Sequence, residues 1–153
     1  MLKPILLVED NPNDLELALI ALTRSQLANQ VVVVRDGAEA LDYLHRRGEY
    51  AQRPPGYPAV VLLDLKLPKV DGLEVLKQMR MTEALKALPV VMLTSSKEEQ
   101  DVVRSYELGV NAYVVKPVEF TEFLRAIADL GVFWAVVNEP PPGSQRYSKP
   151  LNS

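Results

Sequence analysis

The chain has no cysteine. A disulfide framework and a zinc–thiolate centre are therefore both excluded. It also lacks a long apolar run: the N-terminal stretch Ile5-Leu6-Leu7-Val8 is too short for a signal-peptide core or a membrane span. Charge of one sign is not in excess either. Lysine and arginine number 17 against 20 acidic residues, a net charge of −3, so nothing electrostatic calls for nucleic acid or an anionic membrane as partner. The single histidine, His45, sits beside Arg46 and Arg47 in a helical pattern and reads as a surface residue. What is left is an ordinary globular composition, 48% apolar and 24% charged over 153 residues. That length holds one domain with a sizeable core and a short appendage. The expectation is a soluble, cytoplasmic protein.

Short apolar runs alternate with helical patterns five times. The runs are Ile5–Val8, Val31–Val34, Val60–Leu63, Val90–Leu93 and Tyr113–Val115. Each suits a strand buried on both faces. The first helix is expected from Asn11-Pro12, with Asn11 as cap and proline in the first turn, carrying Leu15, Ala18, Leu19 and Leu22 at helical spacing. Asp36-Gly37-Ala38-Glu39 has capping-box spacing and opens a second helix with Leu41 and Leu44. Arg46 to Pro58 holds three prolines and two glycines and reads as a long surface connection. A third helix starts at Asp71-Gly72, with Leu73, Leu76 and Met79 inward. A fourth starts near Ser96–Glu99, with Val102, Val103 and Tyr106 inward. A fifth runs from about Glu119 to Val137. The pattern implies an α/β domain with a five-stranded parallel sheet and helices on both faces, joined by right-handed crossovers. Periodicity does not reveal the strand order.

Five polar residues close these runs. Glu9 and Asp10 end the first, Asp64 the third, Thr94 the fourth and Lys116 the fifth. In an open parallel sheet the carboxyl ends of the strands share one edge, where ligands bind. Three acids, a hydroxyl and an ammonium then converge. Such a set suits a divalent cation and a phosphoryl group, with an aspartate as acceptor. Taken singly, Asp10 could be a helix-entry residue, Thr94 a strand-end hydroxyl and Lys116 a solvated charge. None of these readings explains why three acids should share an edge where their repulsion costs stability.

Residues 3 to about 130 resemble the receiver domain of two-component response regulators. The resemblance rests on Leu7-Val8-Glu9-Asp10-Asn11, Leu62-Leu63-Asp64-Leu65-Lys66-Leu67-Pro68, Asp71-Gly72, Leu93-Thr94-Ser95 and Tyr113-Val114-Val115-Lys116-Pro117, in that order. It implies the doubly wound (βα)5 flavodoxin-like fold and phosphorylation of Asp64 by a partner sensor histidine kinase. It further implies Mg²⁺ bound directly by Asp10, Asp64 and the backbone carbonyl of Lys66, with Glu9 acting through a water. Lys116 would meet a phosphoryl oxygen. Thr94 would be a mobile hydroxyl donor coupled to a switch at Tyr113, whose plainer reading is an exposed strand tyrosine. The resemblance also implies a cis peptide at Lys116-Pro117. Lys66, two residues beyond the acceptor, sits where related domains tune the acyl phosphate's lifetime. Two other classes stay open. One is a phosphorylation-independent pseudo-receiver adaptor. The other is a phosphohydrolase with an aspartyl-phosphate intermediate, for which Lys66 stands where an acid would be needed.

No effector domain is expected after the receiver, so output through protein–protein interaction or phosphoryl relay is expected rather than turnover as an enzyme. The receiver is read as residues 1–138, with a proline-rich polar tail over 139–153. The stretch Leu130 to Val137 is apolar around its whole circumference, more than one sheet face needs, which points to a second buried side. A homodimer is expected, with Phe133, Trp134 and Val137 at its interface. The competing reading is cover by the tail, with Pro140 to Pro142 folded over the patch. The Phe133-Trp134 to Pro141 ending and the Arg46–Pro58 insertion also resemble stand-alone regulators paired with phytochrome-type histidine kinases.

Overall fold

The computed structural model describes residues 2–24, 27–95, 98–116, 119, 121–122 and 125–126. Five strands, β1 (Ile5–Val8), β2 (Val31–Val34), β3 (Val60–Leu63), β4 (Val90–Thr94) and β5 (Ala112–Val115), alternate with helices α1 (Pro12–Arg24), α2 (Gly37–His45), α3 (Gly72–Met81) and α4 (Glu99–Glu107). All strand pairs are parallel, in the order β2-β1-β3-β4-β5. This is the flavodoxin-like order, with its reversal of winding between β1 and β3. Residues 121–122 and 125–126 are helical, where the fifth helix is expected.

Side-chain alternation along the strands builds two cores. Leu6, Val8, Val61, Leu63, Val90 and Met92 face α2 and α3 through Leu41, Leu44, Val75, Leu76 and Met79. Ile5, Leu7, Val60, Leu62, Val91 and Leu93 face the other way, onto Leu15, Ala18 and Leu22 of α1 and onto Ala126. Both faces of the central strands are thus covered, which is why their sequences are continuous apolar runs rather than alternating ones. Each such side chain contributes about 1.5–3 kcal/mol of burial.

The helix starts follow their sequence signals. Asn11 Oδ1 accepts from the backbone N–H groups of Asn13 and Asp14 at 2.9 and 3.1 Å. Asp36 caps α2 by accepting from Glu39 N at 2.7 Å, while Glu39 reaches back to Arg35 N at 2.9 Å. Asp71 caps α3 by accepting from Glu74 N.

One expectation needs correction. Val103 and Tyr106 do not face inward: they are 47% and 52% exposed, and Val102 is half-buried. Among the described side chains of α4 the buried one is Ser105, whose hydroxyl donates to Asp101 O at 2.8 Å. A small side chain satisfied within its own helix lets the backbone lie close to its neighbours. The helix is therefore rotated away from the face that its apolar residues suggest. The Arg46–Pro58 connection lies at the surface as expected. It contains a 3-10 helix, Gly48–Tyr50, and is organised around Arg53, whose Nε donates to Tyr43 O at 2.7 Å and Nη1 to Gly56 O at 2.9 Å.

Candidate functional site

The polar residues that close the strands are positioned by continuations of the sheet's own hydrogen bonds. Glu9 N donates to Val34 O at 3.0 Å, Asp64 N to Val8 O at 3.2 Å and Lys116 N to Thr94 O at 2.8 Å. Glu9, Asp64 and Lys116 are thereby brought to one edge, at and beside the change of winding between β1 and β3. The start of α3 is pressed against the same place. Gly72 N donates to Leu65 O at 2.8 Å, and a Cβ on Gly72 would stand 2.2 Å from Asp64 O. The glycine is required there by close approach of two backbones.

Lys116 Nζ donates to Glu9 Oε1 at 2.5 Å, Asp14 Oδ2 at 3.0 Å and Asp64 Oδ2 at 3.2 Å. Its side chain is only 8% exposed, so the reading of a solvated edge charge fails. Glu9, Asp64 and Thr94 are buried, Asp10 and Lys66 are exposed, and Tyr113 is half-buried against the core that contains Met92. Tyr113 also lines a shallow cleft of about 310 Å³ with Tyr106, Glu122 and Arg125. Phe133, Trp134, Val137 and Pro117 lie outside the described residues.

The electrostatics follow from having more acids than cations. Burial pushes the Glu9 carboxyl up to about 7. The Lys116 ammonium and the Asn11 N–H (accepted at 3.1 Å by Glu9 Oε2) oppose that rise, while the Asp64 charge reinforces it. Burial pulls Lys116 down, but hydrogen bonds to Glu9 and Asp14 and the charge of Asp64 outweigh it, so its pKa is raised and it stays an ammonium. One carboxylate oxygen each of Glu9, Asp10 and Asp64 lie within 4.8 Å of one another. Three hard oxygen donors at that separation fit a hard divalent cation such as Mg²⁺ or Mn²⁺, which completes its shell with water. Asp14 is the site residue that sequence patterning alone missed. Its available signal was its position four residues after Asp10, in the first turn of α1.

The chain matches the response regulator receiver domain family over residues 5–128 and belongs to that family. Among solved structures it is similar to the bacteriophytochrome response regulator RtBRR, at 72% identity and a TM-score of 0.84, covering 94% of this chain and 87% of that one. It is 41% identical over 132 residues to response regulator Rcp1 of Synechocystis sp., which spans 86% of this chain and 88% of Rcp1. A Mn²⁺-bound form of Rcp1 has been solved and matches with a TM-score of 0.71 over 84% of this chain and 90% of that one. The phosphorylated cyanobacterial phytochrome response regulator RcpA matches at 39% identity and a TM-score of 0.73, covering 97% of this chain and all of that one. The resemblance to phytochrome-linked regulators is thus borne out by similarity across nearly the whole chain. No helix among the described residues is long and apolar enough to cross a membrane.

Proposed function

We propose that this receiver accepts a phosphoryl group on Asp64 from a phosphohistidine of a sensor histidine kinase of the phytochrome type. The observation that carries the reading is the contact of Lys116 Nζ with both Asp64 and Glu9 at the strand edge, inside an acidic set able to hold a cation. In the transfer, an Asp64 carboxylate oxygen bonds to phosphorus as the P–N bond to the donor imidazole breaks. The electron pair, and then a proton, end on that imidazole. The attacking group and the phosphoryl group are both anionic, so positive charge must be supplied. Lys116 supplies one such charge, fixed by the end of β5. Asp10, Asp64 and the Lys66 carbonyl would hold Mg²⁺ directly and Glu9 through a water. When bound, the ion neutralises the phosphoryl oxygens.

Thr94 donates its hydroxyl to the phosphoryl group, and Tyr113 follows it as the switch. Output passes through protein–protein contact or onward relay rather than turnover. Residues 1–138 form the receiver, 139–153 the tail, and a homodimer uses Phe133, Trp134 and Val137. We assign the protein to the cytoplasm, without nucleic-acid or membrane partners.

Intact mass before and after incubation with a small acyl phosphate and Mg²⁺ tests the central claim. One phosphoryl group should be gained by the wild type and none by Asp64→Asn, because an amide is a poor nucleophile of the same shape. Full labelling of that variant would remove Asp64 from the acceptor role. For the dimer, sedimentation of Phe133→Glu with Trp134→Glu should give a monomer that still takes the label.

A further inference from the structure

We infer that Asp14 is a positioning residue that acts through Lys116, holding the ammonium back from the phosphoryl group and so braking phosphorylation of Asp64. The inference rests on the reading of Asp64 as acceptor. An ammonium has three N–H donors and no acceptor. Here three carboxylates, Glu9, Asp14 and Asp64, lie within 3.2 Å of Nζ. Each N–H already has a carboxyl oxygen as acceptor, so one given to a phosphoryl oxygen must be withdrawn from a carboxyl group or shared with it.

The three partners differ. Glu9 and Asp64 are buried and belong to the acidic set that can share a cation, whereas Asp14 stands outside that set. The Asp14 side chain is 32% exposed against 8% for Lys116, so water can solvate it when Lys116 moves. Its position is nonetheless well defined. The Asn11 side chain caps the first turn of α1 through Asn13 N and Asp14 N, which sets the carboxylate one turn in from the strand edge. Asp14 is thus an anchor that competes for Lys116 without being a candidate ligand of the metal. With a small acyl phosphate as donor, an Asp64 oxygen bonds to phosphorus. The donor's P–O bond breaks, and its electron pair leaves on the released carboxylate. Charge on the phosphoryl oxygens in that step is met by Lys116 to the extent that Asp14 releases it.

The test is a double-mutant cycle on the full chain. The initial rate of phosphoryl gain would be read by intact mass with acetyl phosphate and Mg²⁺. Salt is set at about 0.5 M, where the Debye length is about 4 Å and simple repulsion between Asp14 and the anionic donor is screened. Asp14→Asn should raise the rate about fivefold, within the usual range of coupling between contacting residues. The same change in a Lys116→Met background should leave the rate within about 1.5-fold, a difference that only action through Lys116 produces. Asp14→Glu, which restores the carboxylate on a longer stem, should return the rate toward wild type. Equal acceleration in both backgrounds, or slowing by Asp14→Asn, would overturn the role of Asp14 while leaving Asp64 as acceptor. A wild type that gains no phosphoryl group would remove the Asp64 reading and this one with it.

Discussion

At the carboxyl edge of the sheet one ammonium faces three carboxylates, with Asp10 alongside. In the connection between α2 and β3 one guanidinium faces neutral partners instead. Arg53 donates to the carbonyls of Tyr43, Pro54 and Gly56 at 2.7–2.9 Å and lies 4.3 Å above the Tyr43 ring. Its Nη2 is buried without a hydrogen-bond acceptor, and the electron-rich ring face it shares offsets part of that cost. Arg46 donates to Arg53 O, and Tyr50 donates its hydroxyl to Glu39, so the connection is tied back to α2. The Arg53 guanidinium is held by neutral groups, whereas the Lys116 ammonium is outnumbered by carboxylates. A matched cluster orders a loop. An unmatched one at a sheet edge costs stability that a bound cation can later return, and that imbalance is the mark of a working site.

The comparison breaks most sharply at Lys116. Lys116→Ala should destabilise the fold by about 3–5 kcal/mol in metal-free buffer, because it leaves Glu9 and Asp64 as buried acids without a counter-charge. Urea unfolding measures this, and a loss below 1 kcal/mol would mean that the site acids are not held together by this ammonium. Arg53→Ala should cost less, about 2 kcal/mol, since carbonyls and a ring are left rather than charges. Cation binding should be unchanged by it. Asp10→Asn should have the reverse profile: stability within about 0.5 kcal/mol of wild type, but the rise in Tm on adding Mg²⁺ largely lost. Calorimetric unfolding with and without the ion distinguishes the two.

The smallest effect expected is at His45. Burial, and then the charge of Arg47, lower its pKa. The unfolded chain therefore binds the proton more readily than the fold does. The stability concerned is complete above the ordinary histidine value of about 6.5 and is lost as pH falls through it. His45→Gln should flatten the pH dependence of Tm just below that value. An unchanged slope would place its origin elsewhere.

The sheet and the polar strand ends were legible because they are local. Apolar runs, helix caps at Asn11, Asp36 and Asp71, and the residue type that closes each strand are all properties of short segments. Their recurrence in one order also carried the resemblance to receivers. The exposure of Val103 and Tyr106 is not legible in the sequence, because an apolar stripe reports what a helix could bury, not which face its neighbours leave room for. Ser105 takes the inner position with its hydroxyl already satisfied. The role of Asp14 is not legible in the sequence either, because an acid in the first turn of a helix is ordinary on dipole grounds alone. Nothing local links it to a lysine 102 residues away.

By itself the sequence determined that β-runs would alternate with helices, that the central strands would be buried on both faces, and that three acids, a hydroxyl and a lysine would share the carboxyl edge. These follow from side-chain period and residue type. Only the tertiary structure decided the order β2-β1-β3-β4-β5, the rotation of α4, the packing of Gly72 against Asp64, and the sharing of Lys116 among Glu9, Asp14 and Asp64. Each of these is a choice among long-range contacts. Such a choice is made by how whole elements pack, and no segment of the chain encodes it alone.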